Sequence, residues 1–176
     1  MARQVALLRG INVGRAKRIA MADLRARLAG LGFEDVRTLL NSGNVVYSAK
    51  GSATTAREAL IESTIEASFG VTSRVFVLSA AALRTIADEF PWSEEDRDPS
   101  RTLVTVWRQV SDLKLLRALE REDWGDESFA VGSKAAYAWM PHGVLESRVA
   151  KSMGQKLGDR VTSRNWATIS KLIAML

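Results

Sequence analysis

The chain has 176 residues, of which 47% are hydrophobic and 26% charged, and it carries a formal net charge of +5. This balance supplies enough apolar material for a folded core and argues against intrinsic disorder. Cysteine is absent and His142 is the single histidine, which excludes disulfides, thiol catalysis and zinc sites built from thiolates or several histidines.

Composition and hydropathy predict a cytoplasmic protein with no membrane-spanning segment. The apolar stretch at residues 5–8 is shorter than the core of a signal peptide and runs on without a small-residue cleavage site. No stretch approaches the roughly 20 apolar residues that span a bilayer. The lack of cysteine fits a reducing compartment.

The first half of the chain has the pattern of a β-α-β-β-α-β unit, the split βαβ or ferredoxin-like order. Alternating or continuous apolar runs predict strands, and apolar residues at three- and four-residue spacing predict helices. The predicted elements are a strand at 4–9, a helix at 21–31, strands at 36–40 and 45–47, a helix capped by Thr54 or Thr55, and a strand at 74–78.

The second half partly repeats this order after a helix at 79–90 and an acidic, proline-bracketed linker at 91–100. Its predicted elements are a strand at 102–107, a helix at 111–121, strands at 129–131 and 135–140, and helices at 144–157 and 162–176. No strand is predicted before the terminal helix. The sequence therefore predicts an α+β fold of duplicated ferredoxin-like (split βαβ) halves, residues 1–90 and 91–176, with an extra C-terminal helix.

Charge is distributed unevenly along the chain. Residues 1–40 carry a net charge of +5 and residues 137–176 carry +4, whereas residues 41–136 carry −4. If the basic ends lie together, they would form a surface for an anion such as nucleic acid or a nucleotide. The alternative is that arginine, which outnumbers lysine 18 to 7, lies on solvated helix faces without a ligand.

A glycine-containing loop followed by three cations comes after the first predicted strand. Arg9-Gly10-Ile11-Asn12-Val13-Gly14 leads into Arg15, Lys17 and Arg18. Glycines let a ligand approach the backbone and cations hold a phosphate, although the spacing matches neither the dinucleotide fingerprint nor a Walker loop. The alternative is a tight turn in which Asn12 bonds its own backbone. We predict that this loop lies on the surface, because a dry interior would not satisfy its cations.

The other asparagines lie in two further polar motifs. Asn41-Ser42-Gly43-Asn44 suits a hairpin tip, and the functional alternative is a tip that presents its amides and hydroxyl to a ligand shared with the first loop. Thr162-Ser163-Arg164-Asn165-Trp166 is predicted to open the terminal helix, with Thr162 or Ser163 as its N-cap. The free N–H groups there would attract an anion beside Arg164 and Asn165. In the alternative, Arg164 pairs with a carboxylate of the other half.

Three segments resemble the signatures of one bacterial family. LLRGINVG near the start, NSGNVVY after the first helix and TSRNWATISKL at the end are similar to the family catalogued as domain of unknown function 1697. The resemblance spans nearly the whole chain and implies a duplicated ferredoxin-like fold, but no activity, substrate or catalytic residue. The chain departs from the family at Ser147-Arg148, where the family usually has Ser-Lys. Arginine does not titrate near neutral pH, which disfavours a titrating role there.

The sequence contains no catalytic set that we recognise. There is no G-x-S-x-G elbow, and His142 is interpreted as a turn residue. The carboxylates of Glu94, Glu95, Asp96 and Asp98 lie in the predicted linker, where we expect them to be solvated, and we predict no metal ligands. Tyr137 and Trp139 share one face of a predicted strand, interpreted as core rather than as a surface that stacks RNA bases.

Three functional hypotheses follow. We favour a non-catalytic binder of an anionic ligand, nucleic acid or nucleotide, because the ends of the chain are basic and the sequence offers no general base. The alternatives are an enzyme acting on a phosphorylated or carboxylated small molecule, and a protein-interaction module. The candidate ligand-binding residues are Arg9, Asn12, Asn44, Arg164 and Asn165. The sequence identifies no cofactor and no oligomeric state.

Overall fold

The computed structural model of the chain describes residues 1–14, 18–93 and 97–176. Contacts divide it into two units, residues 1–83 with 172–176, and residues 84–171. The elements of the first unit are β1 (Ala2–Arg9), α1 (Met21–Gly30), β2 (Glu34–Leu39), β3 (Asn44–Ala49), α2 (Thr55–Phe69), β4 (Arg74–Ser79) and the start of α3 (Ala80–Asp88). Those of the second are β5 (Thr102–Trp107), α4 (Val110–Leu119), β6 (Ser128–Val131), β7 (Ala136–Trp139), α5 (Arg148–Leu157), a 3-10 turn (Gly158–Arg160), β8 (Val161–Asn165) and the start of α6 (Trp166–Ala174).

The sheet of the first unit has the strand order β2-β3-β1-β4, with every neighbouring pair antiparallel. Side chains alternate across a strand, so Ala6 and Leu8 of β1 point to one face. They share a buried cluster with Leu24 of α1 and with Ile61 and Ile65 of α2. Each buried leucine or isoleucine side chain contributes about 1.5–3 kcal/mol by leaving water. The two helices therefore cover this face of the sheet.

Backbone N–H groups along the outer edge of β4 donate hydrogen bonds to side chains of α2. Glu62 Oε1 accepts a 2.8 Å hydrogen bond from Val75 N, and Glu58 Oε1 accepts a 2.9 Å bond from Val77 N. Carboxylates four residues apart on a helix are spaced by about 6 Å, close to the spacing of alternate N–H groups along a strand. The helix thus occupies an edge that could otherwise pair with another chain.

The second unit repeats the topology of the first. Its sheet has the order β6-β7-β5-β8, again antiparallel throughout. Ala136 and Ala138 of β7 join a buried cluster with Leu116 of α4 and with Val149 and Met153 of α5. The α+β class and the duplicated order, with a helix at the C-terminus, are confirmed. The boundary between residues 90 and 91 stays a prediction.

The prediction that the second half lacks its last strand is wrong. Residues Val161–Asn165 form β8, which pairs antiparallel with β5 along its whole length. Thr162 is buried at 1% exposure, and the hydroxyls of Ser163 and Thr105 lie 2.7 Å apart across the strands. The hydroxyl side chains that resemble a helix cap in the sequence are therefore part of a sheet. β-branched and hydroxyl residues suit both environments, and pairing with β5 decides between them.

Candidate functional site

The side chain of Asn12 closes the loop that follows β1. Its Oδ1 accepts a 2.7 Å hydrogen bond from Ile19 N, and its Nδ2 donates to Ile19 O at 3.0 Å and to Asn41 O at 2.7 Å. The residue has φ +54°, in the left-handed region that asparagine tolerates better than most residues. Both amide hydrogens are thus committed to backbone carbonyls, and the loop is tied to the β2–β3 hairpin tip.

The hairpin tip forms the turn that its asparagine–glycine composition predicts, and the structure shows that it is also closely packed. Asn44 is buried, and its Nδ2 donates to Leu39 O and Ser42 Oγ, both at 3.0 Å. Gly43 has φ +81°, and a Cβ atom there would lie 2.6 Å from Leu8 Cβ. Its carbonyl accepts a 2.8 Å bond from Leu8 N. The described hydrogen bonds of the Asn44 amide hold the turn together.

An open cavity of about 440 Å³ lies beside this junction. Its lining residues are Asn12, Arg18, Ile19, Ala20, Met21 and Asn41. Arg18 is exposed, which confirms the predicted surface position for that cation; Arg15 and Lys17 lie outside the described residues. Helix α1 begins here, and Ala20 at its N-cap offers no side-chain acceptor to the first-turn N–H groups. An arginine and backbone N–H groups beside one cavity are suited to hold an anion.

Arg9 ends β1, as predicted, and is half-buried. Alternation places its side chain on the face opposite Leu8, away from α1. It is paired in the ladder with Arg74 of β4, whose Nη1 lies 4.0 Å from Glu62 Oε2. Arg9 is not among the described residues that line the cavity.

Arg164 and Asn165 lie at the end of β8 in the second unit. Arg164 Nη1 donates to Ser163 O at 2.8 Å and to Thr162 Oγ1 at 3.2 Å. Asn165 Oδ1 accepts from Thr168 N at 2.9 Å and from Thr168 Oγ1 at 2.7 Å, so Asn165 is the N-cap of α6. The predicted cap at Thr162 or Ser163 is wrong by two or three residues.

The start of α6 has few donors left for a ligand. Besides Thr168 N, which Asn165 accepts, Ala167 N donates to Pro99 O at 3.3 Å. An anion there would have to displace contacts that the fold already makes. The start of α1 has no side-chain cap of this kind, and this difference favours the first unit as the anion site.

The hydroxyl of Ser147 and the neighbouring carboxylate serve the start of α5. Ser147 Oγ donates to Glu127 Oε2 at 2.5 Å and accepts from Ala150 N at 3.0 Å. Glu127 also accepts from Arg148 N at 2.7 Å, so the helix begins at Arg148 and not near residue 144 as predicted. The Arg148 guanidinium lies 5.9 Å from the Trp124 ring centroid. These contacts give Ser147 and Arg148 a structural role.

The single histidine of the chain pairs with a surface carboxylate, and it lines a small pocket of about 10 Å³ with Glu127, Glu146 and Ser147. His142 Nε2 lies 2.7 Å from Asp126 Oδ2, with both side chains largely exposed. Within the described ranges, no three histidine and carboxylate side chains cluster as metal ligands. The carboxylates of Glu94, Glu95 and Asp96 lie outside those ranges, and Asp98 is exposed. In the same parts of the chain, no helix is both long and apolar enough to cross a membrane.

The aromatic face of the second sheet is closed. Tyr137 is 1% exposed, its hydroxyl donates to Ile86 O at 2.7 Å, and the Phe90 ring meets it edge-on at 5.7 Å between centroids. Burial raises the pKa of Tyr137 well above its ordinary value. Because RNA-binding sheets stack bases on exposed rings, Tyr137 does not serve in that way here.

The sequence pointed to Asn12 and to the hairpin tip that contains Asn41, but not to Ile19, Ala20 or Met21 as part of the site. The sequence contained one usable signal, the lack of a Ser, Thr, Asp or Asn cap before the helix at Met21. The pairing of the loop with the hairpin is a tertiary contact, and no periodicity in the sequence encodes it.

The fold defines a class, an α+β protein made of two β-α-β-β-α-β units in tandem, each followed by a helix. Residues 1–137 match the model of the family described as "Protein of unknown function (DUF1697)", and the chain belongs to that family. The structure is similar to that of a conserved bacterial protein from Streptococcus pneumoniae, with a TM-score of 0.79 and 24% identity over 99% of this chain and 98% of the other. At that identity the likeness extends to the fold alone. No curated protein matches the chain.

Proposed function

We propose that the protein is a cytoplasmic, non-catalytic binder of an anionic ligand of the nucleic-acid or nucleotide class. The observation that carries this proposal is the open cavity of about 440 Å³ where Arg18 and the uncapped start of α1 lie beside the junction of Asn12 and Asn41. Arg18 supplies the charge, and the first-turn N–H groups supply donors that do not titrate.

In this proposal Asn12 and Asn44 act by holding the two loops in place, since their amides bond backbone and hydroxyl groups of the protein. Arg9 and, in the second unit, Arg164 and Asn165 are not among the described lining residues of this cavity, and we propose them as separate anion contacts. The Oδ1 atom of Asn165 already accepts from Thr168 N, so the amide nitrogen of this side chain is the group proposed to contact a ligand. The cavity in the first unit is the primary site.

Binding is tested by titrating the protein with nucleotides and with short single-stranded RNA and DNA at low salt, following amide chemical shifts. We expect shifts centred on residues 18–22 and 41, and affinity that falls as salt is raised. Arg18→Ala should abolish the response. Arg27→Ala changes an exposed arginine of α1 that is not among the described lining residues of this cavity, and this variant should retain the response.

Three outcomes would contradict the proposal: no response at low salt, shifts confined to other residues, or equal binding by the two arginine variants. Product formation from a phosphorylated ligand in the same samples would favour the enzyme alternative instead. Shifts around Arg164 alone, one case of the second outcome, would contradict the cavity as the primary site and favour the second unit instead.

A further inference from the structure

Two exposed apolar side chains adjoin the cavity residues. Val13 is 70% exposed and follows Asn12, and Leu40 is 56% exposed and precedes Asn41. The hydrogen bond of 2.7 Å from Asn12 Nδ2 to Asn41 O joins the two loops that carry them. Isolated exposed apolar residues are ordinary on protein surfaces, but these two occur on loops tied together beside an open cavity.

Leu40 also has a strained backbone, with φ +59°. The left-handed region is unfavourable for a residue with a branched apolar side chain, and glycine would adopt it without strain. Burial does not offset this strain, because more than half of the side chain is exposed to solvent. A strained residue that the core does not need is a feature expected of a binding surface.

We infer that the ligand is a single nucleoside phosphate whose base lies against Val13 and Leu40 while Arg18 contacts its phosphate; this inference rests on the proposed function. The base of a nucleotide presents a flat apolar face that packs on aromatic or apolar side chains. A cavity of about 440 Å³ falls within the size range of small-molecule sites.

The size of the cavity favours one nucleotide over a strand, and Arg18 supplies a charge for its phosphate. Among the described residues that line the cavity, Arg18 alone is cationic. A polyanion is held by several lysines and arginines in a row, with an affinity that falls steeply as salt is raised. Arg15 and Lys17 lie outside the described residues, so the salt dependence of binding distinguishes one phosphate from a strand.

The test is calorimetric titration of the whole protein with four probes at low salt: inorganic phosphate, adenosine monophosphate, adenosine, and a single-stranded oligonucleotide of about twelve nucleotides. We expect the monophosphate to bind at least about tenfold more tightly than phosphate, because packing of the base against the two aliphatic side chains removes apolar surface from water. Adenosine should bind more weakly than its monophosphate. The affinity of the oligonucleotide should exceed that of the monophosphate by no more than the statistical factor that its number of nucleotides gives.

The outcomes distinguish failure of the nucleoside phosphate inference from failure of the proposed anion binding. Equal affinity for phosphate and adenosine monophosphate overturns the inference and leaves anion binding in place. Binding of the oligonucleotide alone, with a steep salt dependence, overturns it in favour of a strand. No binding by any probe overturns the anion proposal as well.

Variants of Val13 and Leu40 test whether the base binds at these two residues. Leu40→Gly and Val13→Ser should each remove most of the advantage of adenosine monophosphate over phosphate and leave phosphate binding unchanged. Leu60→Ser, which changes a 43% exposed leucine on α2, should keep that advantage. If all three variants keep it, the base does not lie at these residues and the inference is wrong.

Discussion

The Nδ2 atom of Asn12 donates a 2.7 Å hydrogen bond to the carbonyl oxygen of Asn41. The bond joins the loop after β1 to the tip of the β2–β3 hairpin, two segments that are 29 residues apart in sequence. Two of the polar motifs therefore meet in one place, and the cavity lies beside their junction. The site depends on this contact for its shape.

Replacing Asn12 with alanine should destabilise the protein by about 3 kcal/mol, since three hydrogen bonds worth about 1 kcal/mol each are lost. Urea unfolding measures the effect. Asn41→Ala is the matched control, because Asn41 is exposed and takes part in the junction through its backbone carbonyl. Its effect should stay within about 0.5 kcal/mol. Equal losses for the two variants would contradict the role assigned to the Asn12 side chain.

Gly43→Ala should cost about 3 kcal/mol, because it adds left-handed strain to a collision with Leu8 Cβ at 2.6 Å and Ile11 Cδ1 at 2.9 Å. Gly51→Ala provides the comparison: Gly51 has φ +78° but nothing within 4 Å of the added Cβ, so only strain of about 1 kcal/mol applies. Thermal and urea unfolding of both variants measure the difference. A Gly43→Ala protein as stable as Gly51→Ala would show that the tip has room to shift.

The Asn165 side chain caps α6 through Thr168 N, and Asn165→Ala should cost about 1 kcal/mol of unfolding free energy. Asn165→Asp keeps the accepting oxygen and should be nearly neutral. Denaturant unfolding of the two variants, each against the native chain, gives the comparison. If alanine and aspartate behave alike, the cap contributes nothing.

The sequence predicted the order of elements well wherever apolar periodicity was strong, as in β5, whose predicted bounds match the structure. It failed at β8, because Thr162 and Ser163 are as typical of a helix cap as of a polar strand. Pairing with β5 decides between a cap and a strand, and β5 lies about 60 residues away in the chain. The site shows the same limit: Asn12 was identified from its type and context, whereas its bonds to Ile19 and Asn41 depend on tertiary folding.

The stability of the second unit should depend on the ionisation of Glu89. Glu89 Oε2 accepts a 2.7 Å bond from Ser133 N, and hydrogen bonds from the Ser133 side chain and backbone hold the pKa of this carboxyl below its usual 4.5. The folded pKa is lower than the unfolded one, so the stabilisation is present above about pH 4.5 and is lost as pH falls through the folded pKa. The difference in unfolding free energy between the native protein and Glu89→Gln should therefore narrow in acid. Urea unfolding between neutral pH and about pH 3 measures it, and a constant difference would contradict the assignment.

Leu40→Gly should separate stability from binding. Glycine adopts φ +59° without the clash of a Cβ atom, and this gain is partly offset by the greater freedom of glycine in the unfolded chain. The net effect on the unfolding free energy should lie between zero and a gain of about 1 kcal/mol. Leu39→Gly is the control: Leu39 lies in β2, half-buried and paired with Asn44, so glycine there should lower stability by about 1 kcal/mol or more. Urea unfolding and nucleotide titration of the same samples test both effects. A Leu40→Gly protein that is clearly less stable than the native one would show that the leucine serves the fold and not the ligand.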